Sequence, residues 1–149
     1  MDLYKMMQNI RGYNYEEYLI ISIENVKKAL EGLTEERMCK IYSGFLFEEL
    51  KKNHVPVRII NTFELGVDYE HFFLVIPSNK EDEKYFIADL TFSQFNVEDE
   101  IFKDLINKGY QLVDDDLFNF YLKNIAKNQT LNYVHIADAF FLLDQTKKI

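Results

Sequence analysis

The spacing of apolar residues changes period twice along this chain, and that change decides which class of fold is open to it. Tyr15, Tyr18, Leu19, Ile23, Val26 and Leu30 recur at helical intervals, and residues three and four apart share one helix face. Asn14, with Glu17 three residues on, makes a capping-box pattern for this helix, and Gly32 supplies its stop. A second stripe, Met38, Ile41, Tyr42, Phe45, Leu46 and Leu50, predicts another helix. Thr34 is its expected cap, and Glu35 and Glu36 match the positive end of its dipole.

After Lys51-Lys52-Asn53 the pattern becomes that of strands. Val55 to Thr62 is rich in β-branched residues, as is typical of a pleated, half-buried segment. Glu70 to Ile76 reads as the next strand, the polar stretch from Pro77 to Lys84 as a turn, and Tyr85 to Asp89 as the returning arm of a hairpin. Thr91 to Phe95 leaves the sheet. Helical spacing then returns. Val97 to Lys108 predicts a helix ended by Gly109, and Tyr110 to Val113 a short strand. Asp114-Asp115-Asp116 caps a helix through Leu117, Phe118, Tyr121, Leu122 and Ile125, and Tyr133 to Leu143 is read as a last helix. Helices, a cluster of strands, then helices predict an α+β fold with a small antiparallel sheet.

The chain has 149 residues, two prolines, five glycines and no linker-like or repeated segment, so one domain over residues 1–149 is expected. Hydrophobic residues make up 48%, enough for a sizeable core. The net charge of −8, with lysines scattered, argues against a nucleic-acid site, because nothing offsets phosphate repulsion. No apolar run is long enough to cross a membrane. Met1-Asp2-Leu3-Tyr4-Lys5 is not a basic stretch leading into an apolar core. The expected location is therefore cytoplasmic, or exported without a recognisable signal peptide. A single cysteine excludes an intrachain disulfide and a cysteine-only zinc site. No cofactor or metal is expected.

That cysteine, Cys39, opens an ordered set with His71 and Asp89, at spacings of 32 and 18 residues. Cys39 falls in the first turn or two of a predicted helix, His71 enters one strand and Asp89 closes the next. The order can supply a thiol nucleophile, its base and the carboxylate that orients the base. On paired hairpin strands His71 and Asp89 would face the same side. A helix N-terminus and a nearby imidazolium each favour thiolate. A helix starting nearer Met38 than Thr34 would serve that purpose better, since N–H groups deeper in the helix are already used.

Met38-Cys39-Lys40-Ile41-Tyr42-Ser43, His71-Phe72-Phe73-Leu74-Val75 and Tyr85 through Asp89-Leu90-Thr91 to Phe95 resemble the transglutaminase-like branch of the papain-like superfamily. In that group a helix carries the Cys, and a following antiparallel sheet carries the His and then the Asp. Asp89-Leu90-Thr91 approximates the Asp-Pro-Thr phrase common there. The resemblance covers about residues 36 to 95. It implies a papain-like core, with Cys39 as nucleophile, His71 as base and Asp89 as orienter. It also implies attack on a protein or peptide amide through a thioester. Members include transglutaminases, peptidases and glutamine deamidases among bacterial toxins and effectors. The oxyanion would rest on the Cys39 N–H and a second donor that the sequence does not identify.

Each of these residues also has a plainer reading. Cys39 can be a small buried hydrophobe, His71 an ordinary strand residue and Asp89 the start of a turn. The rival function is then a non-catalytic interaction module on the same fold, with an acidic surface for a basic partner. His54 reads as an exposed residue between helix and strand. His135 and Asp138, at helical spacing, read as a surface pair, since two ligands do not make a metal site. Asp114-Asp115-Asp116 lacks the spaced oxygens of a calcium loop.

Overall fold

A computed structural model describes residues 15–32, 38–78 and 84–146, the last five through their backbone only. The expected caps Asn14 and Thr34 lie outside the described residues. Helix α1 spans Tyr15–Ala29 and α2 spans Cys39–Lys52. Strand β1 (Arg58–Asn61) leads through a 3-10 turn, Thr62–Leu65, to β2 (Phe72–Pro77) and β3 (Tyr85–Ala88). Further 3-10 turns at Phe92–Phe95 and Glu100–Phe102 precede α3 (Lys103–Lys108) and β4 (Tyr110–Val113). Helices α4 (Asp115–Ala126) and α5 (Ile136–Thr146) follow. The four strands pair antiparallel in the order β1-β2-β3-β4, so the α+β expectation holds.

Alternation along the strands sends side chains to two cores. Leu74, Ile76, Phe86, Ala88 and Tyr110 face α1 and α2, where Leu19, Ile23, Leu46 and Leu50 cover them. Phe73, Val75, Ile87 and Val113 face α4 and α5, with Phe92 and Phe102 from the short turns filling the same layer. The central strands are buried on both faces, which is why their sequence is a nearly unbroken apolar run.

Several boundaries are shorter than local pattern suggests. Val55 and Val57 are buried, but the strand starts only at Arg58, after Pro56, which has no N–H for a ladder. The Val97–Lys108 segment is not one helix. Asp99 caps a 3-10 turn by accepting from the Ile101 N–H at 3.0 Å, and regular helix begins at Lys103. The last helix starts at Ile136 and not at Tyr133. Asn119 of α4 holds Val134 on both its N–H (2.9 Å) and its carbonyl (2.7 Å), and Asp115 caps Ile136 at 2.8 Å. A side chain from another element decides this last start.

Gly109 couples the fold to the residue after β3. It ends α3 with φ +86°, and its carbonyl accepts from the Asp89 N–H at 2.9 Å. A Cβ there would stand 2.3 Å from a Leu90 methyl. Left-handed backbone and overpacking both penalise any side chain, so Gly109→Ala is expected to cost about 2–4 kcal/mol. Urea unfolding measures this, and a loss below about 1 kcal/mol would show that Leu90 moves aside freely.

Candidate active site

His71 and Asp89 flank the paired β2 and β3, one just before its strand and the other just after. Leu74 pairs with Ala88, so continued antiparallel register sets Asp89 across from Phe73, two residues from His71. Residues two apart share a face, and the two side chains meet there. His71 Nε2 and Asp89 Oδ2 are 2.7 Å apart, both almost wholly buried. The His71 backbone is pinned on each side by Thr62. The Thr62 N–H donates to the His71 carbonyl at 2.9 Å, and the His71 N–H donates to Thr62 Oγ1 at 2.9 Å. Thr62 Oγ1 in turn donates to the Tyr69 carbonyl.

Asp89 is 2% exposed, and a carboxylate so buried requires donors. Oδ2 accepts from His71 and from Tyr121 Oη, each at 2.7 Å. Oδ1 accepts from the Thr91 N–H at 3.2 Å and its hydroxyl at 3.3 Å. The Asp89-Leu90-Thr91 phrase thus has a local role, folding the chain back onto its own carboxylate. Tyr121 comes from α4, and its ring is held edge-on by Phe73 at 5.1 Å and packed on Phe92 at 5.3 Å. In sequence it is one more apolar-stripe residue, and its hydroxyl carries no signal of its partner.

Helix α2 packs on the opposite face of the sheet, and its N-terminus comes over the start of β2. Met38 occupies the N-cap, so Cys39 is the first helical residue and its N–H has no acceptor within the helix. The Cys39 thiol hydrogen-bonds the His71 ring and the Phe72 N–H. One turn on, Ser43 Oγ donates to the Phe72 carbonyl at 3.1 Å. Residues four apart on one helix therefore grip both sides of one β2 residue. With Nε2 committed to Asp89, Nδ1 is the ring nitrogen left to exchange a proton with the thiol.

Charge follows from these contacts. Burial opposes ionisation of Cys39, but the His71 and Phe72 hydrogen bonds and the imidazolium charge outweigh it, and the thiol pKa is lowered. Burial likewise opposes the charge on His71. Attraction and hydrogen bonding to Asp89, then the contact with Cys39, more than offset it and push the imidazole up to about 9. Burial and the Asp89 charge drive the Tyr121 phenol well above its ordinary range, so it remains a donor. The two shifts favour the thiolate–imidazolium form of the pair over its neutral form.

The thiol remains partly exposed. Gln94 Nε2 lies 3.3 Å from His71 Nδ1, and Phe95 packs edge-on against the imidazole at 4.9 Å. Beyond them Asp68, Tyr69, Gln94, Phe95 and Lys127 line an open depression of about 540 Å³. The structure thus brings Cys39, His71 and Asp89 into one hydrogen-bonded series and adds Tyr121, Thr91 and Gln94, which sequence spacing alone did not assign. The plainer reading of Cys39 as a buried thiol without a His71 contact does not fit this placement.

The other candidates lie elsewhere. His54 is exposed in the turn after α2, with φ 58°. His135 pairs with Asp115 at 2.9 Å, not with Asp138, and both are surface groups. The aspartate run is structural: Asp114 caps α4, Asp115 caps α5 and Asp116 accepts from Tyr133 at 2.6 Å. Among the described residues no cluster of His, Cys, Asp or Glu is placed to hold a metal ion, and no helix is long and apolar enough to cross a membrane. No protein-family model, curated protein or solved structure matches the chain.

Two predictions follow from the charges. Above pH 6.5 and above the lowered Cys39 pKa, up to about 9, the folded pair holds one proton on His71, while the unfolded chain holds one on Cys39. Above the lowered Cys39 pKa, the two contributions therefore cancel and the pair adds no pH slope to stability. Without the thiol, the raised His71 pKa alone acts, and its stabilisation is lost as pH rises from 6.5. The melting temperature of Cys39→Ala is expected to fall relative to the parent across that window; parallel pH profiles would refute the ion pair. Tyr121→Phe keeps the ring packing but removes a donor from a buried carboxylate. It is expected to cost about 1–3 kcal/mol in urea unfolding, and a neutral effect would show that His71 and Thr91 suffice for Asp89.

Proposed function

We propose that this protein is a thiol-dependent acyl-transfer enzyme acting on amides of proteins or peptides, with Cys39, His71 and Asp89 as its catalytic triad. The observation that carries this reading is the partly exposed Cys39 thiol at the first position of α2, hydrogen-bonded to an imidazole whose other nitrogen is held by a buried carboxylate. The same order of elements supports the resemblance to transglutaminase-like cysteine enzymes with a papain-like core, and through it glutamine deamidation or transglutamination ahead of peptide cleavage.

Each side chain has a part. The Cys39 thiolate attacks the amide carbon, a C–S bond forms and the carbonyl π pair moves to oxygen. On collapse the C=O reforms and the C–N bond breaks, while His71 Nδ1–H protonates the departing nitrogen. Ammonia leaves from a glutamine carboxamide, or an amine from a peptide bond. Water or a lysine amine then attacks the thioester, His71 takes its proton, and the thiolate is regenerated. Asp89 holds Nε2–H throughout, fixing tautomer and ring orientation.

Mass spectrometry of a bacterial or eukaryotic protein extract incubated with the protein distinguishes the branches. Glutamine-to-glutamate conversion or glutamine–lysine cross-links are expected with the parent and not with Cys39→Ala, which should remain folded. New peptide termini that depend on Cys39 would assign the peptidase branch. No Cys39-dependent product, together with ordinary thiol reactivity toward iodoacetamide at pH 6, would instead favour the interaction module.

A further inference from the structure

His71 has to hold a proton firmly enough to keep Cys39 ionised and loosely enough to hand it to a departing nitrogen. Asp89 works against the second need, since a carboxylate bonded to the ring stabilises the charged imidazole. We propose that Tyr121 is a positioning residue that sets this balance: by donating to the same Asp89 oxygen that holds His71, it weakens the carboxylate's grip on the imidazolium. Its value to catalysis rests on the reading of His71 as the acid and base of Cys39; its effect on the imidazole does not.

Geometry is the first argument. Asp89 Oδ2 accepts from His71 Nε2 and from Tyr121 Oη, both at 2.7 Å, while Oδ1 is served by Thr91. Two donors on one oxygen share its negative charge, and their hydrogens repel each other. The phenol therefore takes up charge that would otherwise face only the imidazolium. Burial strengthens the effect. Asp89 is 2% exposed and Tyr121 is wholly enclosed, so solvent does not screen the three groups from one another. The phenol is also aimed. Its ring packs against Phe73 at 5.1 Å, Phe92 at 5.3 Å and Phe102 at 6.5 Å.

Charge is the second argument. The groups that face His71 are Cys39 from α2, Asp89 after β3, Thr62 on its backbone, and Gln94 and Phe95 from the turn that follows Asp89. Of these only Cys39 and Asp89 ionise, and both hold the proton on His71. With the phenol in place the imidazole is already pushed up to about 9. Further tightening would leave the proton too firmly held for transfer near neutral pH. Tyr121 opposes that tightening without carrying charge. Burial, then the Asp89 charge, drives its phenol well above the ordinary range, so it acts as a fixed donor and not as a relay that passes protons.

An NMR titration of the His71 ring in Cys39→Ala reads the Asp89 arm alone, with no thiol titrating beside it. Adding Tyr121→Phe, which keeps the ring and removes the donor, is expected to raise the His71 midpoint by roughly half a pH unit or more. A 3-fluorotyrosine at position 121, a stronger donor of nearly the same shape, should lower the midpoint. That chain also carries the test if the phenylalanine variant is too unstable to titrate. A midpoint that stays put, or moves the other way, in either chain would overturn the proposal. A fall with Tyr121→Phe would reduce the tyrosine to a support that keeps Asp89 in place. The nucleophile reading is tested separately in the parent, by alkylation of Cys39 with iodoacetamide at pH 6. If that is no faster than in the urea-unfolded chain, the reading fails, and the catalytic value given to Tyr121 fails with it, whatever the His71 midpoint does.

Discussion

The Asp89 carboxylate is the constraint around which the site is built. Removed from water, it is tolerable only if its oxygens are met by donors, and a missing donor there costs more than an average hydrogen bond contributes. The donors come from far apart in the chain: His71 ahead of β2, Tyr121 in α4 and Thr91 in the turn that follows. The peptide N–H of Asp89 is held by Gly109, at the end of α3. Sheet, helix and turn must all be in place before this one group is satisfied, so the site and the fold stabilise each other.

The two faces of the sheet divide the work. One carries the buried aromatic layer of Phe73, Phe92, Phe102 and Tyr121, which keeps water away from Asp89 and fixes the direction of the tyrosine hydroxyl. The other carries α2, anchored by Leu46 and Leu50, so that its first residue overhangs the start of β2. The thiol meets the imidazole at the edge between these layers, where solvent still reaches Cys39 but not Asp89. An ionisable pair at such an edge keeps strong electrostatics on one side and access on the other.

Much of this was legible in sequence because it is local. Period, caps and breakers identified each described helix and strand in order, and Tyr110–Val113 was placed at its observed bounds. The thiol, imidazole and carboxylate stood out because they are chemically distinctive and ordered as a nucleophile site requires. Tyr121 and Gln94 did not stand out, since a tyrosine in an apolar stripe and a glutamine in a turn look the same whatever they touch. The misplaced start of the last helix shares that cause. Val134 is held by Asn119, and Ile136 is capped by Asp115, both through tertiary contacts.

The amino-acid sequence by itself determined the kinds of element, their order and the presence of one thiol with two ordered partners, because hydrophobic period, capping chemistry and residue type act over a few neighbours. Only the tertiary structure decided that α2 begins at Cys39, that Asp89 is also held by Tyr121 and that Gln94 stands beside His71 Nδ1. Those facts depend on side chains far apart in the chain meeting at one end of a sheet, and local pattern does not encode long-range distance.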